Sequence, residues 1–142
     1  MNRDRIRRLV FLSLLIVAAP AVAQEYEARL GRMPVDSRNQ STIAGIGKAT
    51  AELDGNRLVI NGKFAELLGA ATTANLHMGV AVGARGPMIH ELAVSAATEG
   101  ELTGRIELND AQLAALRAGR LYIQINSQIA PDGNLWGWLL SE

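Results

Sequence analysis

Apolar and polar residues alternate with period two along this chain, in short runs broken by turn residues, and that pattern limits what it can fold into. The clearest run is Leu121-Tyr122-Ile123-Gln124-Ile125-Asn126. An extended backbone puts Leu121, Ile123 and Ile125 on one side and Tyr122, Gln124 and Asn126 on the other. A helix would scatter both sets around its circumference, so this is a strand with one face toward a core. Ala49, Ala51 and Leu53 alternate in the same way with Lys48, Thr50 and Glu52, as do Leu58, Ile60 and Phe64 with Val59, Asn61 and Lys63. Between those two runs stands Asp54-Gly55-Asn56, residues that accept the positive φ of a tight hairpin. Gly62 interrupts the inward row and marks either a bulge or a close backbone approach.

Further strands are predicted at Tyr26 to Leu30, Ala71 to Val80, Met88 to Val94 and Leu102 to Leu108. One short helix follows the last of these. Asn109 is placed to cap it, with Gln112 three residues on to complete a variant capping box. Leu113 and Leu116 share a face, and Gly119 stands where a left-handed C-terminal residue is wanted. After the Leu121 strand, Ala130-Pro131-Asp132-Gly133-Asn134 carries turn chemistry and is predicted to return the chain into Leu135 to Leu140 as an antiparallel hairpin. About eight short strands and one helix predict an all-β fold, a β-sandwich with Greek-key connections.

The chain begins with Arg3, Arg5, Arg7 and Arg8, then an apolar run from Leu9 to Ala19 relieved only by Ser13, then Ala21-Val22-Ala23. These are the three parts of an export signal, with cleavage expected before Gln24. The apolar run is eleven residues long, about 16 Å as a helix, half of a ~30 Å hydrocarbon core, so a transmembrane anchor does not fit. Residues 24–142 then form one domain, periplasmic or secreted. The chain has no Cys, which excludes disulfides and a lipid anchor on Cys. Losing the leader takes Lys plus Arg from 14 to 10 and Asp plus Glu from 14 to 13, for a net charge of about −3. The remaining basic residues are scattered, unlike a phosphate-binding surface, so nucleic acid is not an expected partner.

Several segments occur in an order that resembles the CHRD domain, the module named after chordin and found alone in many exported bacterial proteins. They are Tyr26-Glu27-Ala28-Arg29-Leu30 with Pro34-Val35 soon after, Ala49-Thr50-Ala51-Glu52-Leu53-Asp54-Gly55, Ala74-Asn75-Leu76-His77, Gly86-Pro87-Met88-Ile89, and Leu116-Arg117-Ala118-Gly119-Arg120-Leu121-Tyr122-Ile123. The resemblance spans nearly all of residues 25–140 and implies a sandwich of immunoglobulin-like or superoxide-dismutase-like type. In chordin the domain belongs to an extracellular growth-factor antagonist. Family members commonly read Ala-His-Ile-His where this chain has Ala74-Asn75-Leu76-His77, and Asn-Val-His-Thr where it has Gln124-Ile125-Asn126-Ser127. They tend to read Gly-Glu-Ile-Arg-Gly where it has Gly133-Asn134-Leu135-Trp136-Gly137. Any polar site that those family residues build is degraded or remodelled here.

Metal chemistry has little to work with. A His-x-His pair on a strand would project two ligands from one face, but this chain offers only His77 and His90, with Asn75 a poor neutral ligand. Copper or zinc at His77 and His90, in a small redox protein related in fold to copper-zinc dismutases, is the alternative reading; no cofactor is expected otherwise. Nucleophilic catalysis has no Cys and no Gly-x-Ser-x-Gly, and the Gly79 to Gly86 stretch lacks the Lys-Ser/Thr ending of a phosphate loop. The residues that favour binding lie at the end of the chain. With Leu135, Gly137 and Leu139 toward the core, Trp136, Trp138 and Leu140 point outward beside Tyr122, Gln124 and Asn126. Tyr122, Gln124, Asn126, Trp136 and Trp138 therefore form the candidate binding face, for a protein or glycan partner. A non-enzymatic binding or structural module is the leading expectation.

Overall fold

The computed structural model describes residue 18 and residues 22–142. The leader predicted over residues 1–23 lies almost wholly outside the described residues. Among those described, nine strands and one helix follow in the order β1 (Gln24–Arg32), β2 (Ile46–Asp54), β3 (Arg57–Ala65), β4 (Ala71–Met78), β5 (Met88–Val94), β6 (Gly100–Glu107), α1 (Asp110–Arg117), β7 (Leu121–Ser127), β8 (Ala130–Trp138) and β9 (Leu140–Ser141). No helix among them is long and apolar enough to cross a membrane.

Every strand pair is antiparallel, and the order β2-β3-β6-β5-β4-β7-β8-β1 is closed by pairing of β1 with β2. The expected two-sheet sandwich is therefore replaced by an eight-stranded closed barrel, with β9 an added short strand on β1. Closure happens because β1 reaches from β2 to β8 and β5 from β4 to β6. Gln24 to Leu30 of β1 pairs with β2 while Gly31 and Arg32 pair with β8. Ala74 to His77 of β4 holds Met88 to Leu92 of β5, whose last residues Ala93 and Val94 pass to β6. The connections have the Greek-key form, since β4, β5 and β6 run as neighbours while β3 lies beside β6 and β7 beside β4.

The inward rows of all these strands fill the barrel. Ala49, Ala51 and Leu53 of β2, Leu58, Ile60 and Phe64 of β3, and Leu121, Ile123 and Ile125 of β7 join one buried cluster with Leu135 and Leu139. Gly62 belongs to the inward row as well. A Cβ there would press on Ala49 and Leu102 at 3.0 Å, and neither neighbouring strand shifts register beside it. Close approach, not a bulge, explains that glycine. Helix α1 packs against β7 and β9 and adds Ala115 and Leu116 to the same buried cluster. Its capping box forms as predicted: Asn109 Oδ1 accepts from the Gln112 N–H at 2.9 Å and Gln112 Oε1 accepts from the Asn109 N–H at 3.0 Å.

The β7–β8 connection departs from expectation. The chain reverses at Gln128 and Ile129, and Pro131 to Asn134 lie within β8. Ile125 pairs with Leu135 but Ser127 with Ala130, so the four residues Pro131 to Asn134 stand against Asn126 alone. The turn chemistry of this segment builds a wide bulge, where Pro131 has no N–H to lose from the ladder and Gly133 takes a φ of +136°. Asn134 is fully buried at the bulge. It accepts from Ser127 Oγ at 2.9 Å and donates to the Ala44 carbonyl at 2.6 Å, which fastens the 33–45 loop to the barrel.

Candidate functional site

Side chains that point away from the core of β4, β7, β8 and β1 form one outer face. Its rows follow from register: His77 stands opposite Tyr122, and Tyr122 opposite Trp138. The pairs Glu27–Leu140 and Gly31–Trp136 set the meeting of β1 with β9 and β8, which puts Arg29 across from Trp138. Arg29 is in turn opposite Lys48, and Lys48 opposite Lys63. Three cations and three aromatic rings thus stand side by side on six neighbouring strands.

The rings touch. His77 stacks on Tyr122 at 4.9 Å between centroids, Tyr122 meets Trp138 at 5.0 Å, and Trp138 meets Trp136 edge-on at 4.7 Å. Offset and edge-to-face contacts of this kind add about 0.5–1.5 kcal/mol each beyond burial. Trp136 also covers the small cluster of Met33, Ile43 and Ala130.

Part of the predicted binding face is covered by the chain itself. Tyr122 and Gln124 are buried, at 1% and 5% exposure, while Asn126, Trp136 and Trp138 are half-buried. The cover is the Gly79 to Pro87 loop. The Gly86 N–H donates to Tyr122 Oη at 3.0 Å, and the hydroxyl donates back to the Gly86 carbonyl at 3.1 Å. Arg120 holds the near end of the loop through the Gly79 carbonyl at 3.1 Å. Gln124 donates to Asn126 Oδ1 at 2.9 Å and to the Asp132 carbonyl, so this pair serves the bulge. Of the predicted face, Asn126, Trp136 and Trp138 remain partly at the surface.

Beside them lies what sequence reasoning missed, a groove of ≈ 530 Å³ between the outward rows of β1 and β8–β9. Glu27, Arg29 and Gly31 line one side, Trp136, Trp138 and Leu140 the other, with Ser141 and Glu142 at one end. At Gly31 a Cβ would have nothing within 4 Å. Glu27 is occupied by Lys48 at 3.0 Å and Lys63 faces Glu101 at 4.0 Å. Arg29 is exposed and makes neither an ion pair nor a side-chain hydrogen bond among the described residues. Its alternation with Ala28 and Leu30 was legible as outward; that β1 would meet β8 was not.

Copper or zinc does not fit the residues present. The Gly86 carbonyl accepts from His77 Nδ1 at 3.0 Å, which leaves Nε2 buried and without a partner. That is how a metal-binding histidine is oriented, but it stands alone. His90 faces Leu76 across a bulge while His77 faces Met88. No group of three His, Cys, Asp or Glu residues comes together among the described residues. Gln124 Oε1 and Trp138 Nε1 are the other buried polar side-chain atoms without a partner among the described residues, and they belong to the same outer face.

A family model described as CHRD domain matches residues 28–139, from β1 to the end of β8. The chain belongs to the CHRD-domain family. No curated protein matches it, and no solved structure does. The match runs through the barrel from its first strand to Leu139, so it includes Arg29, Gly31, Trp136 and Trp138 of the groove and the loop that covers Tyr122.

Proposed function

We propose that this CHRD-domain protein is an exported, non-enzymatic binding module that docks its partner in the groove between Trp136, Trp138 and Arg29. The carrying observation is the open space at Gly31, with half-buried indole across from it and an uncommitted guanidinium two residues along the same strand. Buried aromatic and arginine side chains are the groups that dominate binding energy when a partner desolvates them. The unpartnered polar atoms of Gln124, His77 and Trp138 concentrate on this same face, and departures from full polar satisfaction are expected where a protein works. Export rests on the Arg-rich, then apolar, then Ala-Val-Ala leader, and the mature chain is either periplasmic or secreted.

Oxidative footprinting tests the reading. The exported chain is exposed to hydroxyl radical alone and with envelope and extracellular material from the exporting cells. Protection is expected at Trp136, Trp138 and Leu140 and not at Ile46 or Leu68. Association without protection at the groove, or none at all, overturns the proposal. Metal analysis of the same preparation is expected to return no stoichiometric copper or zinc. A full equivalent that disappears in His77→Ala would instead establish the redox reading.

A further inference from the structure

We infer that the groove takes an acidic saccharide, with a sugar carboxylate on Arg29 and a pyranose ring seated at Gly31 against Trp136. This rests on the binding reading above and narrows it to one ligand class.

Three observations point to that class. The first is charge. Arg29, Lys48 and Lys63 stand opposite one another on adjacent strands, an arrangement that is unfavourable by itself because like charges face each other. Glu27 and Glu101 relieve the two lysines. Of these three Arg29 alone has no carboxylate partner, and it is the one cation that lines the groove among the described residues, with a planar fork that matches a carboxylate bidentately. The acidic groups of the groove do not cancel it. Glu27 is held by Lys48, and Glu142 lies past Ser141, at the end away from Gly31.

The second is shape. A pyranose has an apolar face of C–H groups and a polar rim, and Trp presents a flat apolar face beside polar neighbours in the same way. Gly31 is where such a ring fits, since it is exposed, it faces Trp136 directly in register, and its missing side chain leaves open space.

The third is what the groove cannot take. An extended peptide docks most readily by adding a strand to an open sheet edge. Both edges of β1 are already used, by β2 on one side and by β8 and β9 on the other. A ligand there must be read by side chains.

The test uses the exported chain titrated with a short oligogalacturonate and with an uncharged malto-oligosaccharide of equal length, followed by tryptophan fluorescence and calorimetry. Saturable binding of the uronate alone is expected. Arg29→Gln should weaken it about tenfold or more, and Gly31→Val should abolish it by filling the seat without a clash. Lys63→Gln, outside the groove, should bind as the parent does. Melting curves check that each variant is folded. Equal binding of the uncharged oligomer, parent-like binding by Arg29→Gln or Gly31→Val, equal loss in Lys63→Gln, or no uronate binding would each overturn the inference. Groove protection by envelope material together with no uronate binding would reject the saccharide and retain the binding module; absence of that protection would reject both.

Discussion

A side chain at Gly86 has nowhere to go, because a Cβ would run into the Met78 carbonyl and the Cα of Gly79. Gly86→Ala must therefore displace the loop from Tyr122, and a loss of about 2–3 kcal/mol is expected in urea denaturation. Tyr122→Phe keeps the ring between His77 and Trp138 but takes away both hydroxyl contacts to Gly86, for about 1–3 kcal/mol. The two losses should not add, since each breaks the same attachment. Full additivity would mean that the loop is held by something other than this pair. The outward direction of Tyr122 and Gln124 was legible from period two alone. Their burial was not, because alternation tells which side of a strand a residue takes and nothing about what lies on top. The covering loop is Gly-rich and without periodicity. A sequence-level hint did exist in the Tyr122 hydroxyl, an outward polar group close to the core.

Elements whose signals are local came through unchanged. The helix begins at Asp110 behind its Asn109–Gln112 box, and Asn109→Ala is expected to lower the melting temperature by an amount worth about 1 kcal/mol. The hairpin of β2 and β3 turns at Gly55 and Asn56, within the predicted Asp54-Gly55-Asn56. The β7–β8 hairpin forms as expected, but its turn lies earlier than predicted, for a reason that is not local. Pro131, Gly133 and Asn134 are turn residues by composition, but the reversal at Gln128 and Ile129 is fixed by the pairing of Ser127 with Ala130. What the segment supplies is Asn134, whose amide ties Ser127 to the Ala44 carbonyl. Asn134→Ala leaves these groups unpaired in a buried place and should cost about 2–3 kcal/mol. Asp132→Ala, in the same bulge but exposed, should change stability by less than about 0.5 kcal/mol. Comparable losses at both positions would mean that the bulge geometry, and not the buried amide, holds the loop.

Barrel and sandwich share the same alternation, which is why the sequence could indicate an all-β chain with one helix and leave the closure open. The difference lies in whether the strands at the margins find second partners, a matter of register between segments as far apart as Gly31 and Trp136. Closure here depends on two narrow seams. β3 and β6 share a continuous ladder from Arg57 to Phe64, and β2 and β3 one from Ile46 to Asp54. β5 meets β6 through Ala93 and Val94, with one further bond from the Ser95 N–H to the Glu101 carbonyl, and β1 meets β8 through Gly31 and Arg32, with one further bond from the Met33 N–H to the Asn134 carbonyl. A seam with few hydrogen bonds opens at lower free energy than the whole molecule unfolds. Native-state hydrogen exchange should therefore show the amides engaged at the seams exchanging well before those of Leu58 to Asn61 in β3. Uniform protection around the ring would show instead that the barrel opens only as a unit. The seam between β1 and β8 lies beside the groove, so a ligand bound across Gly31 and Trp136 bridges it. Ligand binding is then expected to slow exchange at Gly31 and Arg32 while leaving Ala93 and Val94 unaffected, because only the first seam lies under the ligand. Equal slowing at both would mark a global stabilisation by mass action and not a bridge at this seam.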